Sequence, residues 1–264
     1  MPRRLSSHAT LGPFVATLSA IALLTLMDGF IKIAALVVGA YSTLVFRATI
    51  GFVLSISIWS RQGMRWPDRA TLRIHLWRGV VGTFTALTFF SALVHLPMAE
   101  AIALSFISPL IALALAALVL KEQVGGKAIL AAVMGMAGVL VIVGGRIGAA
   151  QLSDEAMLGI VLVLVSAVLY AWNLILQRQQ AQRAKPLEIT TFQSALMVLT
   201  LLPAAPFFLT VPENALVWGA IATSAVLGVM GLLLFAWAYA RAEAQALVPI
   251  EYSGFAWAAL FGFV

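Results

Sequence analysis

The sequence is dominated by nine long runs of apolar residues, and these restrict the possible fold more than any other feature. Each run is about 20 residues long, the length that an α-helix needs to cross the hydrocarbon core of a bilayer. Strands of a membrane β-barrel alternate apolar and polar residues instead. The sequence therefore predicts an all-α integral membrane protein with about nine spans. They cover roughly residues 12–34, 40–59, 74–94, 98–119, 127–146, 157–177, 188–210, 215–238 and 243–264.

The composition excludes a soluble globular protein and argues against an enzyme. Apolar residues make up 62% of the 264 residues and charged residues 10%, against about 45–50% and 25% in a typical soluble domain. The chain has no cysteine, which excludes thiolate metal sites and cysteine nucleophiles. Its three histidines lie far apart, without the spacing of a metal-binding pair. We therefore expect no catalytic residue, no metal and no cofactor.

The basic residues predict the orientation of the chain. When the loops are assigned alternately, starting inside, thirteen basic residues fall inside, including Arg78, and only Arg146 falls outside. Lysine and arginine collect in cytoplasmic loops, so we expect a multi-pass protein of the inner (plasma) membrane with a cytoplasmic N-terminus. The same bias explains the net charge of +6 without a nucleic-acid partner. The basic segment 61–73 is either a topology signal alone or a contact for anionic membrane lipid.

Two segments of the chain resemble each other at a constant offset of 145 residues. The alignment equates the fourth span with the ninth, so the repeat is five helices long. Because five is odd, a second copy must enter the membrane from the opposite side, as in the inverted repeats of many secondary transporters. We predict a first repeat over residues 1–148, with helices 1–5, and a second over 149–264, with helices 6–9. The matches are Phe90, Ala99, Ala101, Ser108, Ala114, Leu115 and Val119 with Phe235, Ala244, Ala246, Ser253, Ala259, Leu260 and Val264.

Three further segments carry a family resemblance. Residues 96–109, the turn 121–122 and the small-residue helix 126–145 together resemble the helix 4–5 signature of the EamA family, within the drug/metabolite transporter superfamily. Residues 246–253 resemble the matching part of the second repeat. The resemblance implies a ten-helix bundle of two inverted repeats, a central substrate site between the halves and transport of small organic metabolites. The small residues of the fifth helix are expected to pack closely against another helix, within the bundle or across a homodimer.

The resemblance also has a finer branch and one departure. The pattern from Asp28 to Lys32, followed by Phe46-Arg47, is similar to the branch that contains S-adenosylmethionine transporters and riboflavin-transporter-like proteins. The offset, however, places the counterpart of residues 121–122 beyond Val264, so we expect the tenth helix to be missing from this chain. We expect the parent sequence to continue for about 20–35 residues with one more apolar span. The alternative is a truncated product.

Charged residues inside the first two spans are candidates for the substrate site. A charge inside a bilayer costs about 2.5–3.5 kcal/mol on insertion scales, so it usually faces the interior of the bundle. Asp28 and Lys32 are four residues apart on one helix face, and Arg47 lies at a similar depth. The two bases suit a carboxylate, and Asp28 suits an amine or a proton. The alternative is a buried pair that only packs helix 1 against helix 2.

Three further candidates lie in the second half. Glu251 follows Pro249, which can break its helix, and an acid beside a broken helix suits a proton or cation. Tyr252 can stack on a planar substrate, and Asn173 is the deepest amide of the sixth span. Packing or interface roles are the alternatives for all three. Gln177 and Tyr239 are expected to anchor the membrane interface.

Three classes of function remain open on the sequence alone. The leading hypothesis is a secondary transporter, for uptake or export, of a small polar or zwitterionic metabolite such as an amino acid, S-adenosylmethionine or a related compound, with proton or ion coupling. The second is a membrane-embedded enzyme, for which the sequence offers only scattered carboxylates. The third is a non-transporting accessory subunit, which would not need a charged cluster in its first two spans. Vesicle uptake separates the first from the others.

Overall fold

The computed structural model of the protein describes residues 7–121 and 153–261, with short pieces between 124 and 137. The described residues form α-helices joined by short turns, without a β-strand among them. Two 3₁₀ turns, Leu202–Ala204 and Val248–Tyr252, each join two consecutive helices in the second half of the chain. The helices are α1 (Ser7–Arg61), α2 (Arg69–His95), α3 (Met98–Ser105), α4 (Ile107–Val119), α5 (Asp154–Ala181), α6 (Pro186–Leu201), α7 (Ala205–Phe208), α8 (Ala215–Tyr239), α9 (Ala244–Leu247) and α10 (Ser253–Phe261).

Six helical stretches of the described chain are long and apolar enough to cross a membrane. The first, Leu11–Arg61, has 51 residues and contains two of the predicted spans. They are separated at Gly39, whose backbone leaves the helical region with φ 79° and ψ 157°, a conformation that glycine adopts at little cost. The other five stretches are Arg69–His95, Glu100–Val119, Asp154–Ala181, Pro186–Phe208 and Ala215–Tyr239.

The two remaining predicted spans have different outcomes. The ninth, 243–264, is present as α9, a 3₁₀ turn and α10 rather than as one continuous helix. The fifth, 127–146, lies largely outside the described residues, and so does its stripe of small residues. The structure therefore establishes a helical bundle with at least six candidate spans, while the count of nine and the inverted repeat stay predictions.

Side-chain caps explain where three of the helices begin. Asp68 accepts a hydrogen bond from the Thr71 amide at 2.7 Å and starts α2, and Asn214 accepts one from the Leu216 amide at 2.8 Å and starts α8. Ser153 does the same for α5. Such oxygens satisfy amides that have no partner inside the helix. The Thr71 amide also holds the pKa of the Asp68 carboxyl below its usual value.

Two broken helices meet inside the bundle. The chain leaves α3 and enters α4 at Phe106, and it leaves α9 and enters α10 through a 3₁₀ turn that contains Pro249 and Glu251. At the offset of 145, Phe106 corresponds to Glu251. The Tyr252 hydroxyl donates to the Phe106 carbonyl at 3.2 Å, and the two rings pack edge to face at 5.0 Å. Both breaks therefore lie at the same place in the bundle.

The remaining helices pack closely against one another, and the outer surface of the bundle is apolar. The α1 helix packs along α8, the α2 helix packs along α5, and α6 contacts both α1 and α2. A Cβ atom on Gly79 would lie 2.5 Å from the Leu196 Cβ, so glycine is what allows α2 and α6 to approach. The outside carries exposed apolar side chains such as Leu118 (77% exposed) and Leu216 (80% exposed). Such a surface suits contact with lipid.

Candidate functional site

A cavity of about 280 Å³ opens between the helices, next to the two breaks. This is close to the lower end of the ~300–1,000 Å³ typical of small-molecule sites. Four charged side chains line it: Asp28 and Arg47 from α1, Arg78 from α2, and Glu251 from the 3₁₀ turn. The amides of Asn173, Gln177 and Gln193 also line it, and its apolar wall includes Phe89, Phe90, Phe106 and Phe235. The cavity therefore combines two acids and two bases with an aromatic wall.

Asp28 precedes the break at Gly39 in the chain and Arg47 follows it, and both side chains line the cavity. They attract each other electrostatically, yet the ion pair within 4.0 Å that the described residues form is His75–Glu188, elsewhere in the bundle. Arg47 instead directs Nη2 at the Met27 sulfur, 3.0 Å away, and its buried Nε has no hydrogen-bond partner among the described residues. Both charges are thus close enough to compensate each other and still open to a ligand.

Glu251 is held by phenol groups at the second break. Its side chain is only 7% exposed and accepts a hydrogen bond from the Tyr239 hydroxyl at 2.9 Å. The Tyr170 hydroxyl interacts with the same carboxyl group. The expectation that Tyr239 anchors the membrane interface is wrong, because the residue is fully buried and points inward.

Arg78 belongs to a buried hydrogen-bond network that sequence reasoning missed. It is the tenth residue of α2 and 2% exposed, so its assignment to a cytoplasmic loop is wrong. Its Nη1 donates to Gln180 Oε1 at 2.7 Å and its Nη2 to Gln177 Oε1 at 2.5 Å. Gln180 contacts His75 Nδ1, and His75 Nε2 lies 3.0 Å from Glu188 Oε1. Gln177 is 3% exposed, so its expected place at the interface is also wrong.

A sequence signal for Arg78 was available. The residue falls inside the predicted span 74–94, and a charge within a span tends to face protein or water rather than lipid. The loop arginines that precede Arg78 in the sequence obscure this signal.

Several buried polar atoms of the residues around the cavity have no hydrogen-bond partner in the part of the chain that the structure describes. They are the donors Arg47 Nε, Arg78 Nε and Gln177 Nε2 and the acceptors Asn173 Oδ1 and Gln193 Oε1. All five residues line the cavity. Because buried polar groups in proteins are nearly always hydrogen-bonded, these atoms are suited to pair with a polar solute or with water.

The six residues singled out from the sequence divide into two groups. Asp28, Arg47, Asn173 and Glu251 line the same cavity. Lys32 and Tyr252 lie beside it and bond to backbone carbonyls instead: Lys32 Nζ donates to Leu96 at 3.0 Å, and the Tyr252 hydroxyl to Phe106. Neither Lys32 nor Tyr252 is part of the lining, and each ties two elements together; their contact with substrate stays a prediction.

The helices and the cavity define a class of protein: a multi-pass membrane protein with a charged, solute-sized cavity inside its bundle. The model of the EamA-like transporter family matches residues 10–144 and, a second time, residues 157–264. The chain belongs to the EamA-like transporter family.

Known relatives agree with this assignment. The chain is 25% identical over 240 residues to the pseudopaline exporter CntI of Pseudomonas aeruginosa, covering 91% of this chain and 82% of the exporter. It is 26% identical over 243 residues to an uncharacterized transporter of Helicobacter pylori, covering 90% and 80%. It is 27% identical over 156 residues to a riboflavin transporter of Brucella anthropi, covering 59% and 52%. A protein crystal structure with 24% identity matches its fold with a TM-score of 0.73, covering 96% of this chain and 86% of that one.

Proposed function

We propose that the protein is a secondary transporter that carries a small polar organic metabolite through the cavity, for uptake or for export. Candidate compounds are an amino acid, S-adenosylmethionine or a related molecule. The observation that carries the proposal is the convergence of two acids and two arginines on one cavity inside a membrane-spanning bundle. Each such charge costs about 2.5–3.5 kcal/mol on insertion scales, a cost that an accessory subunit has no reason to bear. The transporter names of its relatives support the same function.

Four residues carry proposed roles at the site. Arg47 binds a carboxylate or similar group, since its Nε donor has no partner among the described residues and its side chain lines the cavity. Asp28 binds an amine or a proton, and Asn173 accepts a hydrogen bond from the solute through its unpaired Oδ1. Glu251, a buried acid at a helix break, is the proposed site of proton or cation coupling. Lys32 and Tyr252 stay candidates for substrate contact from positions beside the lining.

We also propose two inverted repeats, residues 1–148 and 149–264, in a multi-pass protein of the inner membrane with a cytoplasmic N-terminus. Two observations support the repeats. The family model matches the chain twice, once on each side of residue 149. The helix breaks at Phe106 and Glu251 are related by the 145-residue offset that relates the two sequence segments.

A binding screen followed by a flux measurement tests the function. The purified protein is screened by thermal shift against amino acids, nucleosides, S-adenosylmethionine and flavins, and the compounds that stabilise it are tested for uptake into proteoliposomes. We expect at least one compound to stabilise the protein and to enter proteoliposomes faster than protein-free vesicles. A stabilising compound that is chemically converted instead would indicate an enzyme. The absence of any flux above the control would contradict transport.

A further inference from the structure

The two arginines of the cavity differ in how their charges are balanced. Arg47 has Asp28 as an electrostatic partner. Arg78 is buried more deeply than Arg47, but among the described residues no carboxylate lies within 4.0 Å of it. Its partners are the side-chain oxygens of Gln177 and Gln180, which are neutral. A buried charge without a counter-charge is costly, so an anion bound next to Arg78 would be strongly favoured.

The network leaves hydrogen-bond donors of Arg78 and Gln177 unused. A guanidinium group has five N–H donors, and the bonds to Gln177 and Gln180 use one from each terminal nitrogen. Among the described residues, Arg78 Nε has no partner, and neither has Gln177 Nε2. The two side chains contact each other directly, because Gln177 Oε1 lies 2.5 Å from Arg78 Nη2. Both residues line the cavity and are at most 3% exposed.

The outer part of the network fixes which way the amides point. Because a carboxylate only accepts hydrogen bonds, His75 Nε2–H donates to Glu188, and in the neutral imidazole Nδ1 is then the acceptor. Gln180 donates its amide N–H to that atom, and its oxygen is therefore turned toward Arg78. This arrangement holds the guanidinium in place without cancelling its charge.

We propose that the side chains of Arg78 and Gln177 form an oxyanion site in the cavity that binds a carboxylate group of the transported compound. The inference rests on the proposed transport function and narrows it: the solute carries an anionic group that docks against α2 and α5, apart from the Asp28–Arg47 pair. His75, Gln180 and Glu188 act as positioning residues, since none of them contacts the bound group.

A single isosteric change tests the site. Gln180→Glu places a carboxylate where the Gln180 amide now meets Arg78 and so supplies the missing counter-charge. Gln182→Glu makes the same chemical change two residues later, at an exposed position outside the cavity, and serves as the matched control. Because the ligand is not identified, sodium acetate is the probe. Thermal unfolding is followed in lipid-free detergent, with sodium chloride at equal ionic strength as the reference.

We expect acetate to stabilise the wild type and Gln182→Glu, with a saturable dose dependence. In Gln180→Glu the apparent affinity for acetate should fall by on the order of tenfold or more, as expected when charge-assisted hydrogen bonds are lost. Arg78→Gln should lose the acetate response as well, and Gln180→Glu keeps the test valid if that variant folds poorly.

An equal acetate response in the wild type and Gln180→Glu would overturn the site, as would no response in the wild type. The outcome is separable from the transport function. A protein that carries a screened metabolite without responding to acetate would refute the oxyanion site alone. A protein that binds acetate at Arg78 but supports no flux would refute transport alone.

Discussion

At the scale of single residues, the proposed transport depends on two acids that line the cavity. Asp28 lines the cavity on α1, and Glu251 lines it from the 3₁₀ turn. We expect Asp28→Asn and Glu251→Gln to abolish transport in proteoliposomes, because each removes a charge and keeps the shape of the side chain. The yield of folded protein should change little. Glu243→Gln, at an exposed position shortly before the same turn, should transport like the wild type.

The opposite pattern would identify a packing role for these acids. If the yield of folded Asp28→Asn or Glu251→Gln falls while transport per folded molecule survives, the acid serves to hold helices together.

The hydrogen bond between Tyr239 and Glu251 has its own consequence. Tyr239→Phe removes the hydroxyl that donates to the buried carboxyl group. Hydrogen bonds to charged groups are worth about 1.5–3 kcal/mol, so the variant should be less stable by about that much and should also transport more slowly. Tyr252→Phe loses a bond to a neutral carbonyl and should be destabilised less. Chemical denaturation in detergent compares the two variants, and equal losses would contradict a special role for the Glu251 contact.

Sequence reasoning found some of these residues and missed others for a physical reason. Asp28, Arg47 and Glu251 lie well within apolar runs, where charge is so costly that it indicates a place in the bundle interior. Arg78 and Tyr239 lie near the ends of their runs, where arginine and tyrosine also occur as topology signals and interface anchors. Only the rotation of each helix about its axis separates the two roles, and weak amphipathicity leaves that rotation undetermined in the sequence.

At the scale of helices, the contact between α2 and α6 is set by a glycine. A Cβ atom on Gly79 would overlap both Cβ and Cδ1 of Leu196, so Gly79→Ala should force the helices apart and cost about 1–3 kcal/mol of stability. Gly219→Ala, on α8 with nothing within 4 Å of the new methyl group, should be neutral or more stable by up to about 1 kcal/mol. Thermal unfolding of both variants tests the contact. A neutral Gly79→Ala would show that the helices are not closely packed there.

The helix breaks show how far local sequence determines an element. Pro249 predicts a break at the start of the ninth span, and the structure has a 3₁₀ turn there. The matching break at Phe106 lies beside Ser105, Ser108 and Pro109, whose types also suggest a kink. That the two breaks meet, joined by Tyr252, depends on contacts between residues 146 positions apart, which local sequence does not encode.

At the scale of the whole molecule, the arginines predict the orientation of the chain in the membrane. The packing of the helices does not determine this orientation. A cytoplasmic reporter fused after Arg69 should be active, and the same reporter fused within residues 148–154 should be inactive. The reason is that the segment after the second predicted span is rich in arginine, which favours the cytoplasmic side. The reverse pattern of reporter activity would contradict the proposed topology.

Transport requires that the same cavity be accessible from either side of the membrane. A single introduced cysteine reports on this access. The chain has no cysteine, so Ser194→Cys, at a buried position of the cavity lining, creates a unique thiol. Ser60→Cys, exposed near the end of α1, is the control. An impermeant thiol reagent is applied to vesicles of either orientation, with and without a transported compound.

We expect the thiol reagent to modify the Ser194→Cys protein from both sides of the membrane. A transported compound should slow this modification. The Ser60→Cys control should react only from the cytoplasmic side, whether or not the compound is present. Modification of Ser194→Cys from one side alone, unchanged by every compound that the protein binds, would contradict a cavity with alternating access.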